Sequence, residues 1–456
     1  MFTALLLVTI FFFCSPAVQA FTAPPPSWEA LQSTPSISDR PSPPIYHDAL
    51  PEESIDSSSA LPVLYRDKDC ICAACESVWL ALEVKNVDYV TVLVDTNAAS
   101  DDTMVPRISW PDTNNNDSSK DSNDTTDPVE LLEQIQARYP NNTPQFYPSL
   151  SSAVDASRCN IMRLPGVMPR NSDTDLMSLA PYLYRTDGTL VKPSSHSVSL
   201  EEIEEMQEEY YLGDFLCGKA ITAADLIWAP YLERYAVQLP MVYPNKGRLN
   251  PRNRNVYGEV DNWYKVMESE VPAYSCRVRG DARHWRKCLE VATNVHNERA
   301  VDDEERVSLT DIPEESGWWM ANKSGVNTNN KAGEIWSEYC SQRPWLAPTP
   351  GGEVALFMIR NREMIVDAAA LGDDDCFDVD TADEALREVI QVLLEWDVYF
   401  DQSSEEETAQ EPLSERGLRM ALFVAEKMIQ VPRDLGMIPV GVLWEVIWSC
   451  EGVALA

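Results

Sequence analysis

The sequence predicts an α/β unit, then an all-α half, then a further helical extension. Three observations carry this reading. Leu61 to Asp95 reads as strand, cysteine-bearing loop, helix and strand. From Leu200 to Pro240 apolar residues recur at helical spacing. Beyond residue 330, amphipathic stretches follow one another with proline and polar breaks between them. A chain of 456 residues has room for two or three domains and a sizeable core.

Pro62, Val63, Leu64 and Tyr65 form a short apolar run suited to a buried strand, and Arg66 to Asp69 ends it. Cys72-Ala73-Ala74-Cys75 follows where a helix starts. Val78, Trp79, Leu82 and Val84 give that helix an apolar face, and Glu76 and Glu83 are expected on its exposed side. Asp88 to Asp95 is rich in valine and reads as the next strand. So short a strand–helix–strand unit is a crossover between parallel strands.

The chemistry lies in the thiols. A C-x-x-C beside such a unit is a thioredoxin-like redox motif. Free N–H groups and the helix dipole favour an anion at a helix start, which lowers the pKa of a cysteine there, and the thiolate is the nucleophile. Cys72 is the expected attacking thiol, and Cys75, one turn on, is placed to resolve a mixed disulfide. Cys70 is a neighbouring thiol with no clear role. The competing readings are incidental cysteines or a zinc half-site. Zinc needs further ligands, and the chain offers no second C-x-x-C and four histidines, so no metal is expected.

These residues carry a resemblance. The run Cys72-x-x-Cys75-Glu76-Ser77-Val78-Trp79-Leu80-Ala81-Leu82-Glu83 resembles the first βαβ unit of the glutathione transferase superfamily. It is most similar to the cysteine types (omega-like, lambda-like and dehydroascorbate-reductase-like). Cys72 falls on their catalytic cysteine, Ala73 replaces the usual proline, and Ser77 stands where arginine is common. The resemblance implies an N-terminal thioredoxin-like domain, here 59–140, followed by an all-helical transferase domain, here 141–300. Phe215-Leu216-Cys217-Gly218 before Ile221-Thr222-Ala223-Ala224-Asp225-Leu226 is similar to the core of that helical domain. Thr222 with Asp225 also reads directly as a capping-box-like helix start.

Further family positions follow in order. Val105-Pro106 resembles the cis-proline loop, where the residue before proline pairs its backbone with the cysteinyl part of glutathione. Thr96 to Thr103 leaves little room for the helix the family usually fits before that loop. Asp112 to Asp127 is a polar insertion with sequons at Asn116 and Asn123. Asp127-Pro128 opens a helix over Val129 to Tyr139. In the family an acid and a serine there hold the γ-glutamyl end of glutathione. Asp127 stands in for the acid, and Pro128 replaces the serine.

The ends of the chain are of another kind. Leu5 to Cys14 is apolar but too short to span a bilayer comfortably, and Ala17-Val18-Gln19-Ala20 is a small-x-small cleavage pattern. Residues 1–20 read as a signal peptide and 21–58 as a transit or disordered linker outside the fold. A signal followed at once by Phe21 resembles the bipartite presequence of algae with secondary plastids, so a plastid location is expected, with secretion as the alternative. Residues 301–456 read as an acidic linker and a helical extension, with helices near Val354–Leu371, Ala382–Phe400 and Ser414–Ile429. A capping or homodimerising role for this tail is open.

Charge narrows the partners. Asp and Glu number 73 against 36 Lys and Arg, a net charge of −37, so nucleic acid and anionic membrane surfaces are disfavoured partners. The basic run Arg277 to Lys287 reads either as an anion site or as balancing surface charge, and the latter is preferred. The resemblance implies a glutathione-dependent thioltransferase or reductase acting through Cys72, with glutathione as co-substrate. Its partner would be a small disulfide or electrophile. Dehydroascorbate reduction uses the same cysteine. The alternative is a catalytically weak, transferase-like binding or assembly module.

Overall fold

A computed structural model describes residues 24–38, 40, 46–48, 61–95, 104–111, 125–147, 214–242, 250–299, 328–372, 377–400 and 413–454. The signal-type leader, both sequons, residues 96–103 and most of the expected linker at 301–327 lie outside the described residues. The chain divides into two compact units. One comprises Met1–Asp39, Gly351–Ile429 and Gly441–Ala456, and the other Arg40–Pro350 with Gln430–Val440.

In chain order, helices α1 (Trp28–Gln32) and α2 (Pro35–Ser38) come first and belong to the former unit. Strands β1 (Tyr46–Asp48) and β2 (Val63–Asp67), helix α3 (Ala73–Val84), and strands β3 (Val90–Val94) and β4 (Arg107–Ser109) build the sheet of the latter. Among the described residues the sheet order is β1-β3-β2-β4. β2 and β3 are parallel, with Tyr65 beside Val92, and β4 runs antiparallel to β2, with Ile108 opposite Leu64. The strand–helix–strand unit is thus a parallel crossover, and its sheet is thioredoxin-like.

β2 is buried along its whole length, which explains an unbroken apolar run in place of alternation. It extends to Asp67, past the expected break at Arg66. The Arg66 guanidinium leaves water because it lies 4.0 Å over the Trp79 ring and donates to Cys70 Sγ.

α3 corrects a second expectation. Glu76 and Glu83 do not face solvent, and every residue from Cys75 to Glu83 is buried. The helix is covered by β2 and by α4 (Pro128–Arg138), α5 (Ala223–Val242) and a π-helical segment at Tyr274–Val278. Each carboxylate finds a buried arginine: Glu76 Oε2 lies 2.7 Å from Arg234 Nη2, and Glu83 Oε2 lies 3.0 Å from Arg343 Nη2.

α4 presents Leu131, Leu132 and Ile135 to the core. α5 starts at the expected cap. Asp225 accepts from Thr222 N (2.8 Å), Thr222 Oγ1 (2.9 Å), Leu216 N (2.8 Å) and Trp263 Nε1 (2.9 Å). α6 (Gly258–Glu270), α7 (Ala282–Arg299) and α8 (Thr328–Cys340) complete the helical half. Trp336 and Tyr339 of α8 share one core with Trp79, so residues 328–350 belong to this unit and not to a separate tail. Gln430–Val440 joins it as well, where Arg277 Nη1 donates to Asp434 O at 3.0 Å. Arg277 and Arg279 are buried, which corrects the reading of this run as surface charge: Arg279 pairs with Glu268 at 3.2 Å.

The other unit contains α9 (Pro350–Arg360, from Gly351), α10 (Arg362–Ala370), α11 (Val379–Phe400), α12 (Glu415–Phe423) and α13 (Met437–Ala454, from Gly441). Part of the stretch expected to be disordered folds here. Trp28 Nε1 donates to Asp383 Oδ1 at 2.8 Å, and Arg387 of α11 holds the Pro26 carbonyl at 2.9 Å. β1, from the same stretch, pairs with β3.

Burial pushes the Glu83 carboxyl up, but Arg343, Arg277 and the hydroxyls of Tyr89 and Tyr339 outweigh it and hold the group below its ordinary 4.5. Its contribution to stability is present above that value and lost as pH falls through the lower folded value. Arg343→Met, which leaves this carboxylate buried without its cation, is expected to destabilise the unit by about 3–5 kcal/mol near neutral pH. Urea unfolding at pH 7 and in acid checks this: the gap to the parent chain should narrow as Glu83 protonates.

Candidate active site

The cysteine loop joins β2 to α3. Cys72 is the N-cap of the helix, with extended backbone, and its Sγ accepts from Cys75 N at 3.3 Å. It is half-buried, whereas Cys70 and Cys75 are buried. Asp67 organises the loop from the strand end. Its carboxylate accepts from the backbone N–H of Asp69 (3.0 Å), Ile71 (2.8 Å) and Cys72 (3.0 Å). Cys70 sits in the left-handed region at φ 55°, a conformation that L residues adopt where surrounding contacts hold them. Arg234 lies under the loop, and its guanidinium is 3.9 Å from the Trp285 ring centroid.

Thiols close together in sequence have different proton affinities. A hydrogen bond from the Cys75 side chain, with another from the Cys75 N–H, outweighs burial and the nearby Asp67 charge and lowers the Cys72 pKa. Arg234 adds to the lowering. Burial raises Cys75 well above the ordinary thiol range, and the neighbouring Cys72 adds to the rise. Burial pushes Cys70 up to about 12 against the pull of Arg66. Tyr231, whose phenol is raised to about 12 by burial and by the charges of Cys72 and Cys75, stays neutral beside them. Cys72 is the thiol of this loop that ionises most readily.

Val105 is half-buried against Val63, Tyr65 and Val92, and Pro106 is buried. The peptide bond between Val105 and Pro106 is cis, and they lead into β4 beside the strand that carries the cysteine loop. Arg107, next in sequence, lies 3.9 Å over the Tyr65 ring. Asp127 is exposed and caps its own helix, with Oδ1 accepting from Val129 N at 2.9 Å. Among the described residues it makes no hydrogen bond to the cysteine loop. Asp67, Tyr231 and Arg234 are site residues that sequence reading missed. Asp67 alone left a signal, as an acid shortly before a C-x-x-C.

Iodoacetamide is expected to modify Cys72 ahead of Cys70 and Cys75, with a rate that rises with pH and levels off below the ordinary thiol value of 9.0. Peptide mapping by mass spectrometry over a pH series reads this. Equal rates at the three positions would overturn the assignment.

No protein-family model and no curated protein matches the chain. Several solved structures do. One is a delta-class glutathione transferase of Nilaparvata lugens, 14% identical over 51% of this chain and 99% of its own, with a TM-score of 0.33. Another is the dehydroascorbate reductase of Chlamydomonas reinhardtii, at 16% identity over 54% and 100%, TM-score 0.32. A third is glutathione transferase Omega 3C from Trametes versicolor, at 15% over 54% and 98%, TM-score 0.33. The chain thus places a parallel strand–helix–strand unit and an antiparallel strand after Pro106 before an aspartate-capped helical half, with Cys72 at the head of the helix that packs on the sheet.

Proposed function

We propose that the chain carries out glutathione-dependent thiol–disulfide exchange with Cys72 as nucleophile. The observation that carries the reading is the divergence of the thiols: Cys72 is half-buried, caps a helix and has a lowered pKa, while burial keeps Cys70 and Cys75 protonated. A thiolate at a helix start suits exchange chemistry, because it attacks sulfur directly and leaves again as a stabilised anion.

The Cys72 thiolate attacks one sulfur of a disulfide between glutathione and a small thiol. A Cys72–glutathione disulfide forms, and the small thiolate departs and takes a proton from solvent. The thiolate of a second glutathione then attacks the glutathione sulfur of that bond, which frees Cys72 and yields glutathione disulfide. In sum, the mixed disulfide and one free glutathione give the small thiol and glutathione disulfide. Resolution by Cys75 requires its buried thiol to lose a proton, so glutathione is the favoured resolver and Cys75 serves as hydrogen-bond donor to the Cys72 thiolate. By the family resemblance, the Val105 backbone before Pro106 receives the cysteinyl part of glutathione and Asp127 its γ-glutamyl end. The leader sequence extends the proposal to a plastid location, with secretion as the alternative.

One observation favours the second reading, a binding or assembly module: Asp127 is engaged as a helix cap, and Pro128 offers neither hydroxyl nor N–H. Glutathione-dependent reduction of a small mixed disulfide decides between them. In the enzyme reading, Cys72→Ser lowers turnover by at least about 100-fold, while Cys75→Ser stays within about tenfold. A parent chain that neither turns over nor is retained on immobilised glutathione supports the module.

A further inference from the structure

The loop between Asp67 and Cys72 is gripped from two sides by opposite charges. The Asp67 carboxylate gathers its N–H groups, as described above. Arg234 Nη2 gathers its carbonyls, donating to Cys70 O at 3.1 Å and Ile71 O at 3.3 Å. The same nitrogen lies 2.7 Å from Glu76 Oε2 in the first turn of α3, and Nη1 donates to Pro230 O at 2.6 Å. The guanidinium face is set by Trp285 of α7. One side chain from α5 thus reaches the last loop residues before the nucleophile and the helix that the nucleophile caps. Arg234 is 2% exposed, so no solvent competes for these contacts.

We propose that Arg234 is a positioning residue for Cys72: its guanidinium holds the Cys70 and Ile71 carbonyls against the start of α3 and thereby sets the Cys72 thiol at the helix N-cap. This rests on the reading of Cys72 as nucleophile. Arginine suits the task and lysine does not. The planar fork serves carbonyls on one edge, a carboxylate beside them and an aromatic ring on its face, whereas an ammonium is a point charge with no flat face. Without the fork, the carbonyls of a left-handed residue and its neighbour are buried and unsatisfied, and the loop has to move to reach new donors.

Arg234→Lys keeps the charge beside Glu76 and removes the fork. The charged and titratable groups facing Cys72 are Asp67 from β2, Cys75 from α3, and Arg234 and Tyr231 from α5. Those facing Arg234 are Glu76 from α3, Glu233 and Tyr231 on its own helix, and His284 and Cys288 from α7. Apart from Arg234, whose positive charge the lysine keeps, these groups are unchanged in the variant, so a shifted profile reports the loop geometry.

The experiment follows alkylation of Cys72 by iodoacetamide against pH in the full chain, read by peptide mass spectrometry. Circular dichroism and unfolding serve as the fold check. Arg279→Lys, at a buried arginine away from the loop, controls for general loosening. Arg234→Lys is expected to raise the Cys72 midpoint by about one pH unit and to slow alkylation at pH 7 about tenfold. Arg279→Lys leaves the profile as in the parent chain. A folded Arg234→Lys chain with the parental profile overturns the proposal, as does an equal shift in Arg279→Lys. If Arg234→Lys does not fold, Glu76→Gln decides. It removes the paired charge and leaves the carbonyl grip, so a midpoint at or below the parental one supports the proposal and a raised midpoint overturns it. Alkylation needs no glutathione. A shifted profile in a chain without turnover therefore keeps Arg234 and removes the exchange reading, and turnover with an unshifted profile does the reverse.

Discussion

Helix α3 has no solvent face from Cys75 to Glu83, and much of this unit follows from that constraint. A helix covered on all sides has to satisfy every polar group it carries inside the protein. Two of those groups are carboxylates near its ends. Glu76 is met by Arg234 from α5 and Glu83 by Arg343 from beyond α8. A buried ion pair adds little stability over well-packed apolar residues, yet breaking one is costly. Removing one partner of either pair would leave its mate buried without a counter-charge. The N-terminal pair involves the same arginine that holds the cysteine loop, so the constraint that orders the core also orders the loop before Cys72.

The thiols of the loop show how strongly position governs chemistry. Cys70, Cys72 and Cys75 lie within six consecutive residues. Cys70 is turned inward by its left-handed backbone toward Arg66, and Cys75 faces the strand end, where its Sγ meets the Asp67 N–H at 3.5 Å. Only Cys72 combines the helix cap, a neighbouring thiol donor and partial access to solvent. The helix start supplies the field, and the residues around it decide which thiol receives it.

The parts of this arrangement that were legible in the sequence are the local ones. The valine-rich strand, the C-x-x-C helix start and the Thr222–Asp225 cap are each decided by neighbours in the chain, and local pattern reads them. Glu83 was unreadable because its cation lies 260 residues away. A glutamate on a helix with an apolar face is most often exposed, and only tertiary packing overrides that. Arg234 was hidden for the same reason, inside an apolar helical run. The segment 24–32 was misread on composition. Proline and serine suggested disorder, but Trp28 carries an indole N–H that finds Asp383, and Leu31 is buried. β1 is three residues long, too short for any period to register.

Charge acts on this unit at two ranges. The chain carries a net −37, and the co-substrate of the proposed exchange, glutathione, is itself an anion, so long-range electrostatics would work against their encounter. Salt weakens that repulsion beyond about 8 Å at physiological ionic strength. The cations that matter at the site are of another kind. Arg66 and Arg234 are buried beneath the loop, their charges directed at a thiol and at backbone carbonyls. Screening reaches buried charges far less than surface ones. An acidic surface and a stabilised thiolate are therefore compatible in one molecule. The surface acts at long range and is screened, while Arg234 acts on the loop that carries Cys72 at hydrogen-bond distance, out of reach of solvent.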